Sequence, residues 1–183
     1  MAAPQALSES DRRLVAMWAA DCAERALPLF EAEAPEDRRP REGIERARAF
    51  GRGELDAAAE IRRRFVAGRA AQSVSSPAAV AAARAAGQAS GVAHMGAHAL
   101  GAAAYAAKAA ALSSSASDQE SARREEIRWQ LERMTENVRH ALLRLPALGE
   151  DQSGPLGSGL LASGILGVTI REIQTELSRS ALS

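Results

Sequence analysis

The stretch Ala78–Leu112, AAVAAARAAGQASGVAHMGAHALGAAAYAAKAAAL, decides the fold. Alanine is the strongest intrinsic helix former, so a run this rich in it predicts helix. Gly87, Gly91, Gly96 and Gly101 interrupt the run, and each costs about 0.5–1 kcal/mol relative to alanine in a helix interior. Glycines kept at such a cost suit two helix axes in close contact. They equally allow a bend near Gly96 or two helices with a short break between them.

Outward from this segment the pattern stays helical. Residues 8–33 predict a first helix, with Ser8 and Ser10 as N-caps and Leu14, Trp18, Cys22 and Leu29 on one face. Pro28 should kink or end it nearby. A polar connector, residues 34–40, leads to a second helix over 40–51 that buries Ile44 and Ala47. Gly51 and Gly53 end that helix. A third, from Glu54 to about Gln72, carries Leu55, Ala58, Phe65 and Val66. Ser117-Asp118-Gln119-Glu120 fits a capping box for a helix bearing Ile127, Leu131, Met134, Val138, Leu142 and Leu145, unless Thr135 starts a new one. Pro146–Gly159 reads as a Gly/Ser/Pro linker, and Leu160–Leu177 as a last short helix. No strand pattern is convincing. The expectation is all-α: a compact bundle of about five to seven helices around an Ala/Gly-rich central segment, with one domain over 8–148 and a tail over 149–183.

Composition narrows the function classes. The 183 residues include 43 alanines, and the 23 basic and 23 acidic residues cancel. Zero net charge removes the strong case for nucleic acid or an anionic membrane as main partner. A single cysteine excludes a disulfide framework or a cysteine-rich zinc site. Of the basic residues only Lys108 is lysine, which reads as a GC-rich coding bias. Met1–Leu7 has neither a basic nor an apolar leader region, and no run has enough large apolar residues to span a bilayer, so a cytoplasmic protein is expected. The charge is uneven, however. Residues 1–60 hold 13 acids against 9 bases, 61–117 hold 6 bases and no acid, and 118–183 hold 10 acids against 8 bases. Pairing of the basic middle with its acidic flanks inside the chain is the plainer reading. A basic surface of Arg62, Arg63, Arg64 and Arg69 that meets an acidic partner is the sharper one.

Few residues offer chemistry. His94 and His98, four apart, would share a helix face and could hold a metal with a third ligand such as Asp21 or Cys22. No glutamate follows His94, so the HExxH pattern is missing, and two histidines bonded to carbonyls need no metal. No metal or cofactor is expected. The P-loop, GxGxxG and GxSxG patterns are also missing. Cys22 reads as a small core hydrophobe. Asp21 and Arg25, spaced to pair along the first helix, fall within its apolar arc, where they form either a buried structural pair or a recognition pocket. Trp129 lies roughly opposite its helix's apolar stripe, so it is covered by the C-terminal segment or exposed to a partner.

Several blocks, in order, resemble one family. They are Trp18 to Glu31 (WAADCAERALPLFE), Pro35 to Arg41 (PEDRRPR), the helix through Ile44 and Ala47, Gly51-Arg52-Gly53-Glu54, Ala93 to Ala99 (AHMGAHA), Tyr105 to Ala109 (YAAKA) and Glu125 to Leu131 (EEIRWQL). This order is similar to the immunity-protein-5-like domain of bacterial toxin–immunity systems, over about residues 10–148. Phe50 stands where many relatives carry tryptophan, a difference of packing. The tail from Gly149 lies outside the resemblance.

The resemblance implies a non-enzymatic cytoplasmic protein that binds and neutralises a cognate protein toxin, and it assigns no catalytic residue. Candidate contact residues are Trp129, the acidic Glu31, Glu33, Glu36 and Asp37, and the arginines Arg38, Arg39 and Arg41. Two rival readings remain: a self-associating scaffold joined as a homo-oligomer through the Ala/Gly face, and a metal-dependent enzyme using His94 and His98.

Overall fold

The computed structural model describes residues 3–181, which contain helices and no strand. Two antiparallel helices fill the centre: α5 (Pro77–Gly91) and α6 (His98–Leu112), where the alanine run is broken by a turn at 92–97. Of the two arrangements left open by the sequence, the structure takes the short break. Every residue of α6 from Ala99 to Ala107 is buried, and α5 buries Ala79, Ala81–Ala83, Ala85, Ala86, Ala89 and Gly91. A helix buried nearly all round needs neighbours on several sides. Here they are α1 (Glu9–Glu31), α2 (Arg39–Gly51), α7 (Gln119–Glu132) and α9 (Gly164–Ser180). The small side chains let these axes approach. A Cβ on Gly87 would lie 2.7 Å from the Cα of Gly68 on α4 (Val66–Arg69), so glycine sets that spacing.

The first helix matches its expected range, and of its expected face Trp18 and Cys22 are buried while Leu14 and Leu29 are not. Ser8 caps it, accepting the Asp11 N–H at 3.1 Å. Pro28 is accommodated one turn before the end, and the helix stops at Glu31. Leu14 is 36% exposed and Leu29 only partly buried, while Val15, Trp18, Ala19, Cys22, Ala26 and Phe30 are buried. Because α2, α5 and α6 all pack on α1, the buried arc is wide and consists largely of alanine, a residue that a search for large apolar side chains undercounts.

The third expected helix is broken into α3 (Ala57–Arg63), α4 and a 3₁₀ turn (Ala70–Ser73). Ala58 faces solvent and Phe65 is 56% exposed, whereas the buried residues are Glu60, Ala67, Ala70 and Ala71. Glu60 is buried because Arg46 on α2 meets its carboxylate at 2.5 Å. Tertiary contacts thus override a periodicity that favoured one continuous helix. A second break separates α7 from α8 (Glu136–Leu143), where Thr135 caps by accepting the Val138 N–H at 3.2 Å. The capping box before α7 does not form. Asp118 is the N-cap residue without a side-chain cap, and Glu120 turns to Arg123 and Arg124. These breaks raise the helix number above the five to seven expected.

The segment after Gly149 adds to the same hydrophobic cluster through Leu156, Leu161, Leu166, Ile170, Ile173 and Leu177. Gln5, fully buried, ties the two ends of the chain. Its Nε2 donates to the Asp151 carbonyl at 2.7 Å, and its Oε1 accepts the Leu156 N–H at 2.8 Å. Among the described residues no helix is long and apolar enough to cross a membrane.

Candidate partner-binding surfaces

Trp129 projects from α7 toward the α1 edge and is partly buried between two guanidinium groups. Arg25 lies 4.4 Å and Arg133 5.0 Å from its ring centroids. Such stacking orients the indole and leaves part of it in solvent. The tail does not cover it. Instead the indole borders a shallow cleft of about 230 Å³, lined by Asp21, Glu24, Arg25, Trp129 and Arg133.

Asp21 and Arg25 do not form the buried pair expected from their spacing. Arg25 is exposed and pairs with Glu126 on α7 at 3.0 Å, while Asp21 pairs with Arg48 on α2 at 2.8 Å. Both sit at the rims of the buried arc, where neighbouring helices present opposite charges. Arg48 also meets Glu24 at 2.6 Å, and these hydrogen bonds raise its pKa and lower that of Glu24. The cleft is therefore walled by side chains already fixed in pairs.

The 31–41 segment uses most of its charge internally. Arg41 forks onto both oxygens of Glu31 at 2.7 Å, and Arg39 forks onto Asp37 at 2.9 and 2.6 Å. Asp37 also accepts the Ser73 hydroxyl at 3.0 Å, and the Arg39 contact holds its carboxyl down at about 2. Glu33 accepts the Ser75 backbone N–H at 2.5 Å together with the Ser75 hydroxyl and the Ser76 N–H. The Ser75 backbone bond is the first cause of a pKa near 2. Arg38 sits 3.7 Å from Glu42. Of the acidic run, Glu36 is exposed and makes no bond among the described residues. The connector's acids thus fasten it to the start of α5, a role that their linear order does not announce.

The histidines are not on one helical face. His94 is exposed in the 92–97 turn, while His98 opens α6 and its Nδ1 lies 2.9 Å from Gln88 Oε1. Burial, then the charges of His94 and Arg64, push His98 down to about 4. Among the described residues no three His, Cys, Asp or Glu side chains gather as a metal site. Cys22 is fully buried, which drives its thiol pKa well up.

The acid-free middle of the chain departs from the plainer expectation. Arg62, Arg63, Arg64, Arg69 and Arg84 form no ion pair among the described residues, although the flanking helices are acidic. Arg64 caps the Ile61 carbonyl at 2.6 Å and stacks on Phe65. Arg64, Arg69 and Arg84 share a cavity of about 350 Å³ with Phe65, Gln88 and His98. The sequence signal for it is the lack of acids in 61–117. What the sequence does not supply is the fold that brings residues 20 apart into one wall.

The described residues form a small all-helical protein with the two charged clefts described above. A family model described as Imm-5 like putative immunity protein matches residues 5–137, and the chain belongs to that family. No curated protein and no solved structure matches the chain significantly.

Proposed function

We propose that this protein binds and neutralises a cognate bacterial toxin in the cytoplasm, without catalysis of its own. Family membership is the observation that carries the reading. The Trp129 cleft supports it, because a tryptophan held between two guanidiniums is a rigid anchor that loses little entropy on docking. An interface of standard size, on the order of 800 Å² per partner, would extend from this cleft over the α1–α2 rim. The scaffold reading loses its main support, since the alanine face that suggested self-association is occupied within the chain by α5, α6 and α1. Mixing the purified protein with the toxin encoded beside its gene is the test. Inhibition with a one-to-one complex is expected, and an active toxin with no complex would overturn the reading.

A further inference from the structure

The cavity between α4 and α5 is chemically unlike the rest of the surface. Twelve arginines elsewhere are held by carboxylates, several in forks, as in Arg39–Asp37, Arg41–Glu31 and Arg46–Glu60, and those without a carboxylate do not gather around one cavity. Here Arg64, Arg69 and Arg84 line one concavity with no acid among its lining residues. Keeping like charges together costs free energy unless something anionic offsets it. Three arginines match a dianionic phosphate better than a single carboxylate, because each planar fork offers parallel N–H donors to tetrahedral oxygens.

The remaining lining residues specify more than a bare anion. Phe65, 56% exposed, lines the cavity with the Arg64 guanidinium 4.3 Å from its ring centroid, so part of an apolar ring is open to a ligand there. Gln88 Oε1 accepts from His98 Nδ1, so the neutral imidazole keeps Nε2 as an acceptor and Gln88 keeps its N–H₂ as a donor. The wall behind them is rigid. Gly68 and Gly87 bring α4 and α5 into backbone contact, and Gly91 lies against the His98 ring. A volume of about 350 Å³ falls at the small end of ligand sites.

We propose that this cavity binds a small phosphomonoester joined to a flat ring, of the nucleoside monophosphate kind. The arginines take the phosphate, Phe65 covers the ring, and His98 Nε2 accepts an N–H or O–H of the ligand. The proposal stands apart from toxin binding, which is placed at the Trp129 cleft.

Calorimetric titration of the full chain with adenosine 5′-monophosphate and uridine 5′-monophosphate tests it, with inorganic phosphate, adenosine and a hexaglutamate peptide as comparison probes. One-to-one binding of at least one monophosphate is expected, with phosphate and adenosine each weaker by about tenfold or more. Arg69→Gln and Arg84→Gln should each weaken it about tenfold, the scale of one lost charge-assisted contact. Phe65→Ala should weaken the monophosphate while leaving inorganic phosphate unchanged. Arg69, Arg84 and Phe65 are exposed, so the variants remain folded, as circular dichroism would verify. Binding that survives in the Arg69→Gln/Arg84→Gln double variant overturns the proposal. So does tighter binding of hexaglutamate, or of phosphate alone, or no binding of either monophosphate.

Discussion

The indole N–H of Trp18 donates to the backbone carbonyl of Gln130 at 2.9 Å, across 112 positions of sequence. The Gln130 side chain in turn donates from Nε2 to the Ala103 carbonyl at 3.0 Å, so α1, α7 and α6 are joined at one buried point. Trp18 is 2% exposed and Gln130 fully buried. Trp18→Phe keeps much of the ring but strands the carbonyl. A loss of about 2 kcal/mol is expected, read as a lower urea midpoint with an unchanged slope.

Gly87→Ala should destabilise the protein even though alanine is the better helix former by about 1 kcal/mol. The added Cβ would meet backbone atoms of Gly68 at 2.7 and 3.0 Å, and backbone cannot rotate away. A net loss of about 1–3 kcal/mol is expected by thermal or chemical denaturation. Gly159→Ala is the control. Nothing lies within 4 Å of its Cβ position, so a change near zero is expected.

Acid should weaken the fold in two windows. His98 is held at about 4 against an ordinary 6.5, so between those values the unfolded chain binds a proton that the folded chain refuses. Stability from neutral His98 is therefore full above about pH 6.5 and is lost as pH falls toward 4, by an amount of order 3 kcal/mol. Asp37, lowered to about 2 chiefly by Arg39, acts below that: its contribution is present above 3.8 and is lost as pH falls through 2. His94, though exposed, is also lowered, by partial desolvation and then by the charges of Arg64 and Arg12, and adds to the upper window. Denaturation midpoints measured from pH 7 to 4 should fall less steeply in His98→Gln. An unchanged slope would refute the assignment.

Arg123, with its side chain 3% exposed, fastens α7 to α9. It meets Glu172 at 2.8 Å, Thr169 at 3.3 Å and Glu120 at 2.8 Å. Arg123→Ala leaves Glu172 and Thr169 without their partner and opens a gap, with an expected cost of about 3–5 kcal/mol. Arg123→Met should cost less, because it refills the space, although Glu172 and Thr169 still lose their partner. Comparing the two melting curves separates charge from packing.

Trp129→Ala should weaken toxin binding by about 2 kcal/mol, or roughly 30-fold, with the effect mainly in the dissociation rate. Glu150→Ala, at an exposed residue outside the cleft and the α1–α2 rim, should change it little. Surface-bound toxin and both variants in solution suffice for the measurement. Equal affinity of wild type and Trp129→Ala would move the interface elsewhere.

The helical class was legible because alanine bias, Ser8, Thr135 and the glycines are local signals, and local propensity governs helices of this length. The third helix was misread because its breaks serve contacts distant in sequence: Glu60 with Arg46, and Gly68 with Gly87. The same limit applies to the surfaces. The i, i+4 spacing of Asp21 and Arg25 says nothing of Arg48 or Glu126, which lie 27 and 101 positions from their partners. Trp129 was picked out by its place on the helical wheel, but its two guanidinium neighbours come from different helical turns and elements. The three-arginine cavity left one trace in the sequence, the missing acids, and composition alone could not say whether distant carboxylates would supply them.

The two tryptophans occupy opposite environments, and this gives the protein two optical reporters. Trp18, sealed among alanines, should emit at short wavelength and shift red only when the chain unfolds. Trp129, partly wet and flanked by cations, should respond when a partner dries its cleft while the core remains closed. A single fluorescence spectrum can thus distinguish a protein that has bound something from one that has come apart, without any label.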